Sequence, residues 1–178
     1  MDGWNGSARG GASVVLALAA VLGAALDGAS AEAGDRAATG ARLHDNAARA
    51  AVAEAIRGAA RRLTDPRCQA LLTRFADAAG RPLRDALDAE GLAPSDYLGR
   101  MYFYDGTMSG CGARRLAYTA PGSHAVFVCG DRFLETWRQN PAYAECAIIH
   151  EALHSLGLGE NPPSWEEITA RVLESCRH

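Results

Sequence analysis

Residues 148–160 read Ile148-Ile-His150-Glu151-Ala-Leu-His154-Ser-Leu-Gly157-Leu-Gly-Glu160. No glycine or proline interrupts residues 142–149 ahead of the histidines, and Pro141 suits a first helical turn. Ile149, Leu153 and Leu156 recur at helical spacing, so the segment predicts a helix held against a core by an apolar stripe. His150 and His154 stand one turn apart on it, and both imidazoles project from the same face toward one metal ion, with Glu151 beside that face. Zinc takes nitrogen and carboxylate ligands in such sites. With only five histidines in the chain, composition alone produces this pattern with a probability of about 0.01.

A catalytic zinc site takes three protein ligands and a water. Gly157, three residues beyond His154, can adopt the left-handed conformation that ends a helix sharply and lets the chain turn back toward the metal. Glu160 follows six residues after His154. This run, HExxHxxGxxE, resembles the active-site helix and glycine turn of the zincin metallopeptidases, most of all the metzincins of matrixin type. The resemblance implies that His150 and His154 bind one zinc ion and that Glu151 is the general base. Residues 125–130 and Phe133 resemble the edge strand and lead-in of zincin domains, which extends the likeness over residues 101–160. Two features depart from the metzincin pattern: Glu160 replaces the third histidine, and no methionine follows Met108 to form a Met-turn. A carboxylate is still a sound zinc ligand, as in the His, His, Glu sites of gluzincins. Glu160 is the first choice for the third ligand. Glu167, or Glu166 beside it, is the alternative, because gluzincins present their glutamate from the next helix; His124 and His178 also stay open. Cys146, one turn before His150, reads as a free buried thiol.

The chemistry expected of such a site is hydrolysis of a peptide bond. Zinc acidifies its bound water and polarises the carbonyl, while Glu151 takes the water's proton and delivers it to the leaving amine. Tyr104, Tyr118, Tyr143, His124 and Arg114 are candidate donors to the oxyanion. Residues 124–128 are the candidate strand whose free edge an extended peptide joins. The reading is therefore an exported zinc endopeptidase acting as a monomer on peptides or proteins. Its alternative is an inactive, disulfide-bonded binding protein on a zincin scaffold, from which it differs in needing Glu151 and an open fourth coordination position.

Outward from the motif, residues 14–26 (VVLALAAVLGAAL) are uncharged and apolar, too short to span a bilayer as a helix but suited to a signal-peptide core. Ala29-Ser-Ala31 behind them is a small-x-small cleavage pattern, so residues 1–31 are expected to be removed, leaving no stable membrane insertion. Residues 32–40 read as a flexible leader and 41–178 as one domain. Export, into the periplasm or the medium, places the five cysteines in an oxidising compartment. Cys111 and Cys129 flank an expected β-hairpin formed by residues 114–119 and 124–128, and pair across it. A Cys68 to Cys176 bridge is the further possibility, leaving Cys146 free.

Residues 43–63 carry apolar positions at three- and four-residue steps and predict an amphipathic helix. Further helices are expected over residues 66–79 and 82–89, the latter stopped by Gly91. The aromatic run Met101-Tyr-Phe-Tyr104 predicts a strand and sheet core, helix returns after Asp131, and Ser164 with Glu167 forms a capping box for a last helix ending near Cys176. Trp165 reads as a packing residue, and Asn161-Pro-Pro163 as a rigid turn. Helices, a small antiparallel sheet, then helices again make an α+β class. The chain has 178 residues, 48% hydrophobic and 22% charged, which supports a globular core. A net charge of −3 leaves no basic surplus for nucleic acid, and the 18 basic residues are all arginine.

Overall fold

A computed structural model describes residues 40–112 and 114–178. The expected signal peptide and nearly all of the leader lie outside the described residues. Helix α1 (Asn46–Arg62) starts where the Asp45 carboxylate accepts the Ala48 N–H, and it buries Ala48, Val52, Ala55, Ile56 and Ala59 on one face. Its small residues let neighbouring helices approach closely. At Gly58 an added Cβ would collide with the Glu145 carboxyl group.

The helix expected over residues 66–79 is broken into α2 (Pro66–Gln69) and α3 (Leu71–Arg74). The run also stops at Arg74 rather than at residue 79, and Asp77 supplies the reason for that early end: its carboxylate accepts the N–H groups of Ala79 at 2.8 Å and Arg81 at 3.0 Å, bonds that compete with the helical ladder. The chain turns extended at Phe75, and Ala76 bridges Pro82. Helix α4 (Leu83–Glu90) then ends at Gly91, which takes the left-handed conformation with φ 65° as expected. A short α5 (Pro94–Tyr97), which the sequence pattern did not announce, leads into the sheet.

The strands are β1 (Tyr102–Asp105), β2 (Ala117–Tyr118) and β3 (Ala125–Val128). β2 and β3 form the expected antiparallel pair, but β1 lies parallel to β3, with Tyr102 opposite Ala125 and Asp105 opposite Val128. The sheet is therefore mixed, in the order β1-β3-β2, and not purely antiparallel. β3 occupies the centre because its alternating Val126 and Val128 are fully buried and both its edges are paired. Residues 124–128 consequently offer no free edge; the outer strands are β1, which Arg42 bridges at Tyr104, and β2. Of the aromatic run, Phe103 enters the core while Tyr102 faces outward, the alternation of a strand with one covered face.

Helices α6 (Gly130–Gln139), α7 (Pro141–Ser155) and α8 (Trp165–Cys176) complete the α+β fold. Val52 and Ile56 of α1, Phe103, Val126 and Val128 of the sheet, Ile148 and Ile149 of α7, and Ile168 and Val172 of α8 share one core. Arg62 fastens its edge, pairing with Glu145 at 2.5 Å and donating to the carbonyls of Cys176 and His178. Disulfides Cys68–Cys176 and Cys111–Cys129 both form, and Cys146 is free and buried. Among the described residues no helix is long and apolar enough to cross a membrane.

Candidate metal centre

Helix α7 begins at Asn140, whose side-chain oxygen accepts the Tyr143 N–H, with Pro141 in its first turn. At its other end Gly157 takes φ 110°, and its N–H donates to the His154 carbonyl while that of Leu158 donates to Leu153. This pair of bonds closes the helix with a left-handed glycine and reverses the chain. The turn also presents the Leu158 carbonyl to the His154 ring, Nδ1 to O 2.7 Å. A carbonyl only accepts, so Nδ1 carries the proton and His154 Nε2 is left as a bare lone pair.

That lone pair faces His150 Nε2 at 3.0 Å, and a Glu160 oxygen lies 3.3 Å from it. The ligand atoms of His150, His154 and Glu160 all fall within 4.8 Å of one another. Two ligands bound tetrahedrally at about 2.1 Å from one ion are separated by about 3.4 Å, so the cluster has the span of a metal site. Outer support is present as well: Thr169 Oγ1 of α8 lies 3.1 Å from His150 Nδ1. Both histidines are buried, and burial, reinforced by His154, lowers His150 to about 3, so its ring is neutral and ready to ligate.

Glu151 is 6% exposed and its Oε2 has no hydrogen-bond partner. Burial and the nearby Glu160 charge push its carboxyl up to about 8, against the pull of Arg115 and the Thr119 N–H. A buried carboxyl with one oxygen left without a partner, beside three converging ligand atoms, is the arrangement that a cation and a water would complete.

The group lines a cleft of about 690 Å³ between β2, α7 and α8. Tyr118, Tyr143 and Arg114 enter this cleft, whereas Tyr104 and His124 do not. Tyr104 lies on the far strand against Phe127, and the His124 ring packs on Tyr97. The alternative ligand Glu167 is turned away: its N–H donates to Ser164 Oγ, the Ser164 half of the expected capping box, while its side chain pairs with Arg171 rather than reaching back to Ser164. Glu166 is likewise outside the cluster, and His178 meets Arg62 at the chain end. Cys146 forms part of the cleft floor, but burial raises its thiol to about 11, which keeps it protonated and a poor ligand. Trp165, read as a packing residue, stands half-exposed on the cleft wall. Sequence reasoning missed Thr169, the Leu158 carbonyl and Arg115. The first lies on another helix and the second is backbone, so neither leaves a local signal. Compared with known proteins, the chain matches no family model, no curated protein and no solved structure.

Proposed function

We propose that this protein is an exported zinc-dependent metallopeptidase with Glu151 as its general base. The observation that carries the reading is the convergence of His150, His154 and Glu160 beside a buried Glu151 oxygen that lacks a partner. Three protein ligands, two of nitrogen and one of oxygen, are a donor set suited to zinc and leave one position open. Zinc held there supplies Lewis-acid polarisation of a carbonyl and an acidified water. Glu151 takes the proton of the attacking water and hands it to the departing amine. The Thr169 hydroxyl and the Leu158 carbonyl hold the two rings in orientation. Tyr143 is available to the oxyanion, because Tyr118 already shares a hydrogen bond with Ser109. The open edge of β2, on the cleft wall, is the strand that an extended peptide would join. Two disulfides support an oxidising compartment, the periplasm or the medium.

Metal content of the purified chain, measured beside His154→Ala and Glu151→Ala together with casein digestion, tests the proposal. The expected result is one zinc per chain, lost in His154→Ala, with digestion abolished in Glu151→Ala although zinc is retained. Zinc without hydrolysis of any peptide moves the reading to a binding protein on this scaffold, and no zinc sinks it.

A further inference from the structure

The cleft wall that leads into β2 carries Arg114 and Arg115, both exposed and both lining the cleft. Several arginines outside the cleft pair with carboxylates, among them Arg62 with Glu145, Arg81 with Asp77, Arg84 with Asp88 and Arg171 with Glu167. Neither cleft arginine forms a salt bridge with a carboxylate among the described residues. Their backbone is nonetheless fixed. Arg132 donates to the carbonyls of Gly112 at 2.7 Å and Arg115 at 2.6 Å, and the Cys111–Cys129 disulfide staples the same segment to the start of α6. The Arg115 guanidinium lies 5.9 Å from the Tyr118 ring centre, a stacking that holds the cation on the cleft side of the strand.

The charge balance of the site points the same way. A divalent cation held by His150, His154 and Glu160 would offset the acidic charge of the site, which would leave Arg114 and Arg115 on the cleft wall as its unpaired cations. The cleft is also lined by the apolar side chains of Ala147 of α7 and of Val172 and Leu173 of α8. A guanidinium fork meets a carboxylate in two parallel hydrogen bonds, and a cleft lined by one sign of charge concentrates the opposite sign.

We infer that the peptidase selects substrates bearing a carboxylate next to an apolar side chain, with Arg114 and Arg115 receiving the carboxylate. This specificity rests on the peptidase reading above. The carboxylate comes from an acidic side chain or from the free end of the peptide, and both present the same chemistry to the fork.

The test uses blocked hexapeptide amides that differ only in one glutamate or glutamine beside a leucine, plus the glutamine peptide with a free C-terminus. Calorimetry measures their binding to the full chain, zinc-loaded and carrying Glu151→Gln to prevent turnover, and cleavage is followed with the wild-type enzyme. A carboxylate peptide is expected to bind about tenfold more tightly than its neutral counterpart at low salt, with the advantage shrinking as salt screens it. The advantage disappears when Arg114→Gln and Arg115→Gln are added together, while zinc content stays unchanged. Which peptide gains, the glutamate amide or the free acid, identifies the source of the carboxylate. Equal binding of all three peptides overturns the inference and leaves the peptidase reading standing if they are cleaved. An advantage that survives in the double variant removes the assignment to these arginines. Binding and cleavage of none of them defeats both readings.

Discussion

For the protein stripped of metal by a chelator, Glu151 and His150 set opposite pH dependences. The Glu151 carboxyl rises from an ordinary 4.5 to about 8, so the folded chain holds a proton that the unfolded chain releases. Its contribution to stability is complete below pH 4.5 and is lost as pH climbs to about 8. His150 falls from 6.5 to about 3, so the unfolded chain takes up a proton that the folded one refuses, and stability declines as pH drops through that interval. Every pH unit that separates folded from unfolded titration is worth about 1.4 kcal/mol. Glu151→Gln is therefore expected to stabilise the chelated protein at pH 8 and to flatten the alkaline arm of its stability profile, leaving the acid arm in place. Urea melts across the pH range measure this, and parallel profiles for the two proteins would show that burial of Glu151 is not the cause. His154→Ala and Glu160→Gln act on the ion itself. The first removes a buried ligand and is expected to abolish zinc binding in a dialysis assay, whereas the second weakens it.

Between α7 and α8 the decisive contact is the Thr169 hydroxyl on His150 Nδ1. Removing such an outer partner typically lowers metal affinity about 10- to 100-fold. Thr169→Val is expected to show that loss in a chelator competition while its far-ultraviolet spectrum stays unchanged, and Thr169→Ser to restore most of the affinity. A valine variant with wild-type affinity would demote the contact to packing. The turn after α7 makes a second case. At φ 110° an alanine is strained by about 1–2 kcal/mol, and its Cβ would lie 3.2 Å from that of Asp77. Gly157→Ala should both lower the melting temperature and weaken zinc binding, since the same turn carries Glu160 to the cluster. Gly159→Ala, with nothing within 4 Å of an added Cβ, is the control expected to spare both properties.

At the scale of the whole molecule the two disulfides constrain the unfolded chain unequally. Cys68–Cys176 closes a separation of 108 residues and Cys111–Cys129 one of 18. Loop-closure entropy assigns about 5 kcal/mol to the first and about 3 kcal/mol to the second. Cys68→Ser with Cys176→Ser is thus expected to cost more stability in urea melts than Cys111→Ser with Cys129→Ser. Loss of the second pair is expected to lower peptide binding more than loss of the first, because it braces the cleft wall that carries Arg114 and Arg115. Losses of equal size, or the reverse order, would place the stabilisation in native packing instead.

The histidine pair, the glutamate between them, the glycine turn and the α8 cap were legible in the sequence because each depends on residues within one or two turns of one another. Helical periodicity puts His150 and His154 on one face, and Gly157 alone supplies the conformation that brings Glu160 back. The Cys111–Cys129 pair was legible from the hairpin it spans, whereas Cys68–Cys176 stood only as a possibility until the packing of α2 against α8 brought the two thiols together. The tertiary structure decided the rest. It gathered Glu160 with the two histidines and turned Glu167 to Arg171, placed β1 parallel to β3 with β2 on the other side, and ended a helix early through Asp77. It also brought Thr169 to His150 and set Arg115 against the cleft. These outcomes depend on which apolar faces bury one another across long stretches of chain, and local periodicity carries no record of a strand's neighbour or of a ligand's outer partner.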